Sequence, residues 1–482
     1  MDFKTYVQSV VASYVEKQNR NIIFIKHYNT LNITKDEILA QVDKTEDKIF
    51  LYHEYSMHEM HITYAPFLQW IRYCFDNYYK SNMTAEEFLR ACGVYSMHIE
   101  PLAGFIRDDL CSRKEDVLYF EIQYEAYRMQ QNILGILEYI SKEHPLILII
   151  SKLHLAPYST IHLLRAIVDQ SISIHAILMY NDEFMITDYK RSVWNDLLNA
   201  ASDQDLQLEW GSIDSERTMD VQDEFWYDKA HTNEYLFRLR NMYYTFSLED
   251  AYYYMSNIMN RLDEKSIRFE KNEQILFIQL AALIYMNCGQ VDQSLVLCSK
   301  LTDMLCHKSE DRYLRYTYYY TCARARMILS QFEAVRENCE KCIEIANEMN
   351  DSFLACKAKI LMWSTYCGIG KDIFEYDFNY KCDPEIIEQV SHYGFNNFLA
   401  YIYVFGYENE SDIIHDTATG KRKPVYFDLG IKLGTELGND NFLLNAYMKN
   451  IVLYSRAGYY SYVREMYEKR WNCQEKYSQR TH

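Results

Sequence analysis

The chain has 482 residues, a length that predicts two or three domains rather than one core. A hydrophobic content of 49% with 24% charged residues is that of a globular protein, and a formal net charge of −18 excludes a large nonspecific nucleic-acid surface, which needs clustered Lys and Arg. The longest apolar run, around 145–150, is far short of the ~20 residues that a membrane helix needs.

Only 14 Gly and 6 Pro are present, so breakers are scarce and long helices are expected. Thirteen Cys, an odd number, are scattered through helical patterns behind the polar opening MDFKTY, which predicts reduced thiols and a cytoplasmic protein. In chain order, Asn21–Ile25 (NIIFI) reads as a buried parallel strand and is followed by a polar loop and a helix over 35–42. Lys48–Tyr52 (KIFLY) is a second strand. Residues 66–80 form a helix opened by Pro66, and 118–142 a long helix with apolar residues at helical spacing. A strand at 146–150, a helix at 159–170 and an apolar run at 174–179 complete an alternation that predicts a parallel sheet covered by helices. Residues 201–231 are polar and acidic and contain the expected boundary.

From 233 onward the pattern is helical and repeats. In LAALIYMNCGQVDQSLVLCSKL (280–301), Ala282 and Tyr285 lie on one helix, Gly289 at a turn, and Ser294 and Cys298 on the next. Comparable turn-then-helix positions occur at Ala251, Ala334 and Tyr462, and 406–425 interrupts the series. Such helix pairs resemble tetratricopeptide repeats, which stack into a solenoid that binds protein segments. Tyr is over-used, at 45 residues, and Tyr252, Tyr285, Tyr316 and Tyr319 are candidates for gripping a partner, although most repeat tyrosines are expected to pack between helices.

The first half carries a second resemblance. Ala65-Pro66-Phe67 with Trp70, then Glu125-Ala126-Tyr127-Arg128, then PLILIISKLHLAPYSTIHLLR (145–165), then AILMYND (176–182) follow one another in the order seen in the signal-transducing P-loop ATPases of maltose-regulator and LuxR-type proteins. Leu153-His154, Ala156, Ser159-Thr160 and Leu163-Leu164-Arg165 match that family's motif position by position. The resemblance implies an α/β P-loop NTPase-like domain over 1–215, a linker over 216–232, and an all-α tetratricopeptide-like solenoid over 233–482. It also implies a bacterial signalling or transcription-regulator lineage.

The departures bear on chemistry. A phosphate loop needs glycines, a Lys for the β/γ-phosphates and a hydroxyl for Mg²⁺. Aligned to it, Asn29–Asp36 keeps Lys35, replaces both glycines with Asn29 and Thr34, and puts Asp36 at the hydroxyl position. Ser151 and Lys152 stand where the family's two acids hold Mg²⁺ and position water. These losses predict a chain that is not an enzyme and needs no cofactor, acting as a regulatory scaffold through a protein partner. The alternatives are an ATP-binding switch that uses Lys35 and Asp36, and an accessory or chaperone-like subunit. His53, Glu54, His58, Glu59 and His61 are spaced at five and three residues, unlike H-E-x-x-H, and read as a His-rich loop rather than a metal site. Cys339 and Cys342 form a CxxC inside a helical pattern and read as ordinary helix positions.

Overall fold

A computed structural model of the chain describes residues 22–27, 48–55, 62–107, 122–170, 174–181, 188–203, 207–210, 232–264, 267–305, 312–366, 382–406, 425–456 and 458–481. Lys35, Asp36, His58, Glu59, His61, the helix expected at 35–42, and nearly all of the 216–232 linker and the 406–425 interruption lie outside these residues. The chain divides into two compact units: 1–94, 98–112 and 128–268 in the first, 95–97, 113–127 and 269–482 in the second.

The first unit is built on a parallel sheet of β1 (Ile22–His27), β2 (Ile49–Glu54), β3 (Leu146–Ser151), β4 (His175–Tyr180) and β5 (Gln207–Trp210), ordered β2-β3-β4-β1-β5. β3 (LILIIS) is buried at every position but the last, as expected of a strand covered on both faces. Register follows from the apolar runs: Leu148 pairs with Leu51 on one side and Ala176 on the other. β2 runs two residues further than its apolar core, so His53 and Glu54 are strand residues rather than part of a polar loop. The His53 ring packs edge-on against Tyr55 and Trp70. β5 (QLEW) is an edge strand whose sequence lacks an apolar period, and periodicity did not predict it.

Helices connect the strands. α1 (Phe67–Cys74) begins directly after Pro66 and passes into a π-helical turn at Phe75–Tyr79, within the single helix expected for 66–80. α2 (Ala85–Ala91) carries a capping box between Thr84 and Glu87, and α3 (Ser96–Arg107) follows. α4 (Ile122–Glu143) leads into β3, and Ile133, Ile136 and Ile140 are buried on one face. α5 (Tyr158–Gln170) joins β3 to β4, and α6 (Asp188–Asp203) joins β4 to β5. The helix pair α7 (Thr232–Tyr244) and α8 (Leu248–Asp263) groups with the sheet, although the sequence assigns residues from 233 onward to the repeats.

The second unit continues as α9 (Lys271–Asn287), α10 (Val291–Leu305), α11 (Arg312–Ile328), α12 (Phe332–Glu348), α13 (Ser352–Tyr366), α14 (Pro384–His392), α15 (Asn396–Phe405), α16 (Val425–Glu436), α17 (Asp440–Arg456) and α18 (Tyr460–Thr481). One turn recurs. Phe246, Gly289, Ser330, Asn350, Gly394, Gly438 and Gly458 all adopt positive φ, and the next helix starts two residues later, at Leu248, Val291, Phe332, Ser352, Asn396, Asp440 and Tyr460. At each, the left-handed residue donates its N–H to the carbonyl three residues back, and its successor to the carbonyl five back, as Ser330 does to Met327 and Gln331 to Arg326. This pairing satisfies the last carbonyls of the outgoing helix. Three of the seven positions are not glycine, so the sequence hides much of the regularity.

Candidate functional site

Ser151 ends β3, and Lys152 follows it with φ 55°, in the left-handed region. That bend carries the Lys152 ammonium across to the neighbouring strand, where Nζ lies 2.6 Å from Glu54 Oε1. Tyr52 donates its hydroxyl to the other oxygen of Glu54 at 3.4 Å, and burial together with Glu54 holds the phenol well above its usual pKa. The carboxylate at this edge of the sheet is therefore already paired with a cation and a phenol. A divalent ion there would have to displace an ammonium. Among the described residues, no group of three or more His, Cys, Asp or Glu is placed to hold a metal ion.

Beyond Lys152 the chain makes one 3₁₀ turn at Leu153–Leu155 and enters α5. The first backbone N–H groups of a helix have no partner within it and attract an anion. Here that anion comes from α8: Asp250 accepts from the Tyr158 N–H at 2.9 Å and the Ser159 N–H at 3.1 Å. The Tyr189 hydroxyl, from the first turn of α6, donates to the same carboxylate at 3.3 Å. Tyr189 stacks on Tyr253, one turn of α8 further on, with ring centroids 4.0 Å apart. Lys190 is fully buried and donates to the Ala156 carbonyl at 2.8 Å. Burial pushes its pKa down to about 8, opposed by the charge of Asp250. Burial likewise holds the Asp250 carboxyl above its ordinary range, while hydrogen bonds from Ser159 and Tyr158 and the Lys190 charge pull it back.

Hydroxyls extend the cluster. Ser159 Oγ accepts from the Tyr64 N–H at 3.0 Å and from Thr63 at 3.4 Å, Thr63 pairs with Ser247, and Thr160 donates to the Ala65 carbonyl at 2.6 Å. His154 Nδ1 accepts the Asn181 N–H at 3.2 Å. Thr63, Ser159, Ser247 and Asp250 are all buried. A Lys of lowered pKa beside a carboxylate has the ingredients of acid–base chemistry. Here Lys190 and Asp250 are buried, and they are hydrogen-bonded to backbone groups and to the Tyr189 hydroxyl. The cluster is a polar clamp that fastens α8 to the start of α5, which is why the helix pair α7–α8 belongs to the sheet unit. Sequence reading singled out Ser159 and Thr160 as motif matches but missed Asp250, Lys190 and Tyr189, whose partners are 61 to 92 residues distant for Asp250 and 34 for Lys190.

The four tyrosine candidates separate. Tyr316 is a correction: only 2% exposed, it donates its hydroxyl to the Leu354 carbonyl at 2.7 Å and stacks on Tyr320 within the core between α11, α12 and α13. It cannot grip a partner. Tyr252, Tyr285 and Tyr319 are partly exposed, and Lys341 lies over the Tyr319 ring at 5.1 Å from its centroid. Tyr252 belongs to the first unit and the other two to the second, so they do not form one patch within a unit. Cys339 and Cys342 are free, buried thiols whose pKa burial raises, and Cys342 Sγ lies 3.7 Å from the Tyr316 carbonyl.

No protein-family model, curated protein or solved structure matches the chain. Among the described residues, no helix is long and apolar enough to cross a membrane.

Proposed function

We propose that the chain is a non-catalytic regulatory scaffold, in which a P-loop-like α/β domain that has lost its nucleotide chemistry is joined to a tetratricopeptide-like array that binds a protein partner. The observation that carries this reading is the Lys152–Glu54 ion pair. Hydrolysis by a P-loop ATPase depends on acids at the end of the core strand holding Mg²⁺ and aligning water. A lysine at that place, with its charge already matched by the nearest carboxylate, supplies neither function. The parallel order with β4 between β1 and β3, and the paired helices joined by one recurring turn, support the two fold resemblances. A bacterial signalling lineage and a cytoplasmic setting remain part of the proposal.

The test is titration of the full chain with ATP and Mg²⁺, followed by calorimetry and thermal shift. The expected result is no binding heat and no stabilisation at millimolar nucleotide. Stabilisation that disappears in Lys35→Ala would replace this reading with a nucleotide-dependent switch.

A further inference from the structure

The last described helix, α18, has two unlike sides. Met466 and Cys473 are buried and Val463 is half-buried, which fixes the side that packs on α17, and Tyr462 stacks on Tyr454 at 5.2 Å. Along another side runs the ridge Tyr460, Arg464, Tyr467, Trp471 and Glu475, at spacings of four, three, four and four residues that keep it in line on a helix. Tyr460 and Trp471 are the two most exposed large apolar side chains among the described residues, at 71% and 64%, and Tyr467 is 52% exposed. Tyr, Trp and Arg are the residue types that dominate binding energy at protein interfaces. A contiguous exposed ridge of them marks an interaction surface.

Charge selects the occupant. The whole chain carries −18, so two copies repel over most of their surface. Over 460–475, three basic residues (Arg464, Lys469, Arg470) balance three acidic ones (Glu465, Glu468, Glu475), so this segment is locally neutral and the repulsion between copies is relieved there. The ridge is also complementary to itself when turned end for end. Tyr467 and Trp471 lie at its middle, and Arg464 and Glu475 lie at nearly equal distances to either side. A two-fold axis between Tyr467 and Trp471 places each Arg464 opposite Glu475 of the other copy and buries the four central rings together. Such a pairing is isologous and closes at two subunits. In the single chain, Arg464 instead bonds Glu468 at 3.2 Å, and the Trp471 indole N–H bonds Glu475 at 2.9 Å, leaving the second oxygen of Glu475 for the cross-pair.

We propose that α18 is a homodimerisation helix, which pairs antiparallel with α18 of a second copy through Tyr460, Tyr467 and Trp471, with reciprocal Arg464–Glu475 ion pairs. A single helix pair lies at the small end of specific interfaces, so a weak dimer that forms at about micromolar chain concentration is expected. The test is sedimentation equilibrium of the full chain. The wild type is expected to dimerise, and Trp471→Ala to sediment as a monomer with unchanged circular dichroism. Arg464→Glu and Glu475→Arg are each expected to weaken dimerisation at least tenfold, and the double exchange to restore it. A wild-type monomer across the micromolar range overturns the proposal. So does a dimer that survives Trp471→Ala, or a double exchange that fails to recover the loss of the singles.

Discussion

Replacing Asp250 with Ala removes the carboxylate that holds the start of α5. Two backbone N–H groups, those of Tyr158 and Ser159, lose bonds of 2.9 and 3.1 Å to a buried carboxylate. That loss costs about 2 kcal/mol, the upper end for deletion of a helix cap. Lys190 adds a bounded amount. With its pKa at about 8, its protonated form is favoured at pH 7 by about one unit, or ~1.4 kcal/mol. Losing the attraction of Asp250 cannot cost more than this, because the lysine then sheds its proton. The sum is about 3–4 kcal/mol for Asp250→Ala, and about half for Asp250→Asn, which keeps one acceptor oxygen. Denaturant unfolding measures the total, and hydrogen exchange at the amides of Tyr158 and Ser159 localises it. Combined with Lys190→Met, the two losses should be less than additive by about 1 kcal/mol. A cost below about 1 kcal/mol for Asp250→Ala, or full additivity, would refute the clamp.

The depressed pKa of Lys190 gives a pH signature. The folded state releases this proton near pH 8 and the unfolded chain near 10.5, so between those values the unfolded state binds more protons and stability rises with pH through this residue. Buried phenols and thiols such as Tyr64 and Cys339 act in the opposite sense, so the comparison with Lys190→Met isolates the effect. The wild type should gain about 2–3 kcal/mol on the variant between pH 8 and 10.5, and parallel curves would contradict the assignment. Ser330 has φ 57° and an exposed side chain, so Ser330→Gly should relieve the left-handed strain and stabilise the chain by about 0.5 kcal/mol after the glycine's extra unfolded-state entropy. The same change at Phe246 should destabilise, since that ring is buried, and thermal melts of the two variants decide the point.

What the sequence made legible follows from burial. β1, β3 and β4 are continuous apolar runs because both faces of the sheet are covered there, and β2, an edge strand only half-buried at alternate positions, still opens with the apolar run IFLY, so all four are readable as strands. β5 lies at the edge, and QLEW offers neither a run nor an alternation long enough to detect. Ser151 and Lys152 stood out against a family pattern, but their consequence needed Glu54, which only strand pairing brings beside them: Glu54 is in register with Ser151. Asp250 sits in the helical run LEDAYYYM, where an acidic residue in the first turn has an ordinary local explanation in the helix dipole. Its true partners are the amides of another helix. Tyr316 shows the same limit. Helical spacing places it on a face of α11, but whether that face meets solvent or α13 is decided by stacking between helices, and no local pattern encodes it.

The recurring turn has a consequence for how such a chain changes length. At Gly289 and at Ser330 the backbone has the same handedness, the same two hydrogen bonds behind it and the same two-residue step into the next helix. Joining Gly289 directly to Gln331 would delete one helix pair, α10 and α11, yet the joint would have the conformation already present at both of its ends. Gain or loss of a helix pair at these residues requires no new loop to be invented, only new neighbours for the helices on either side.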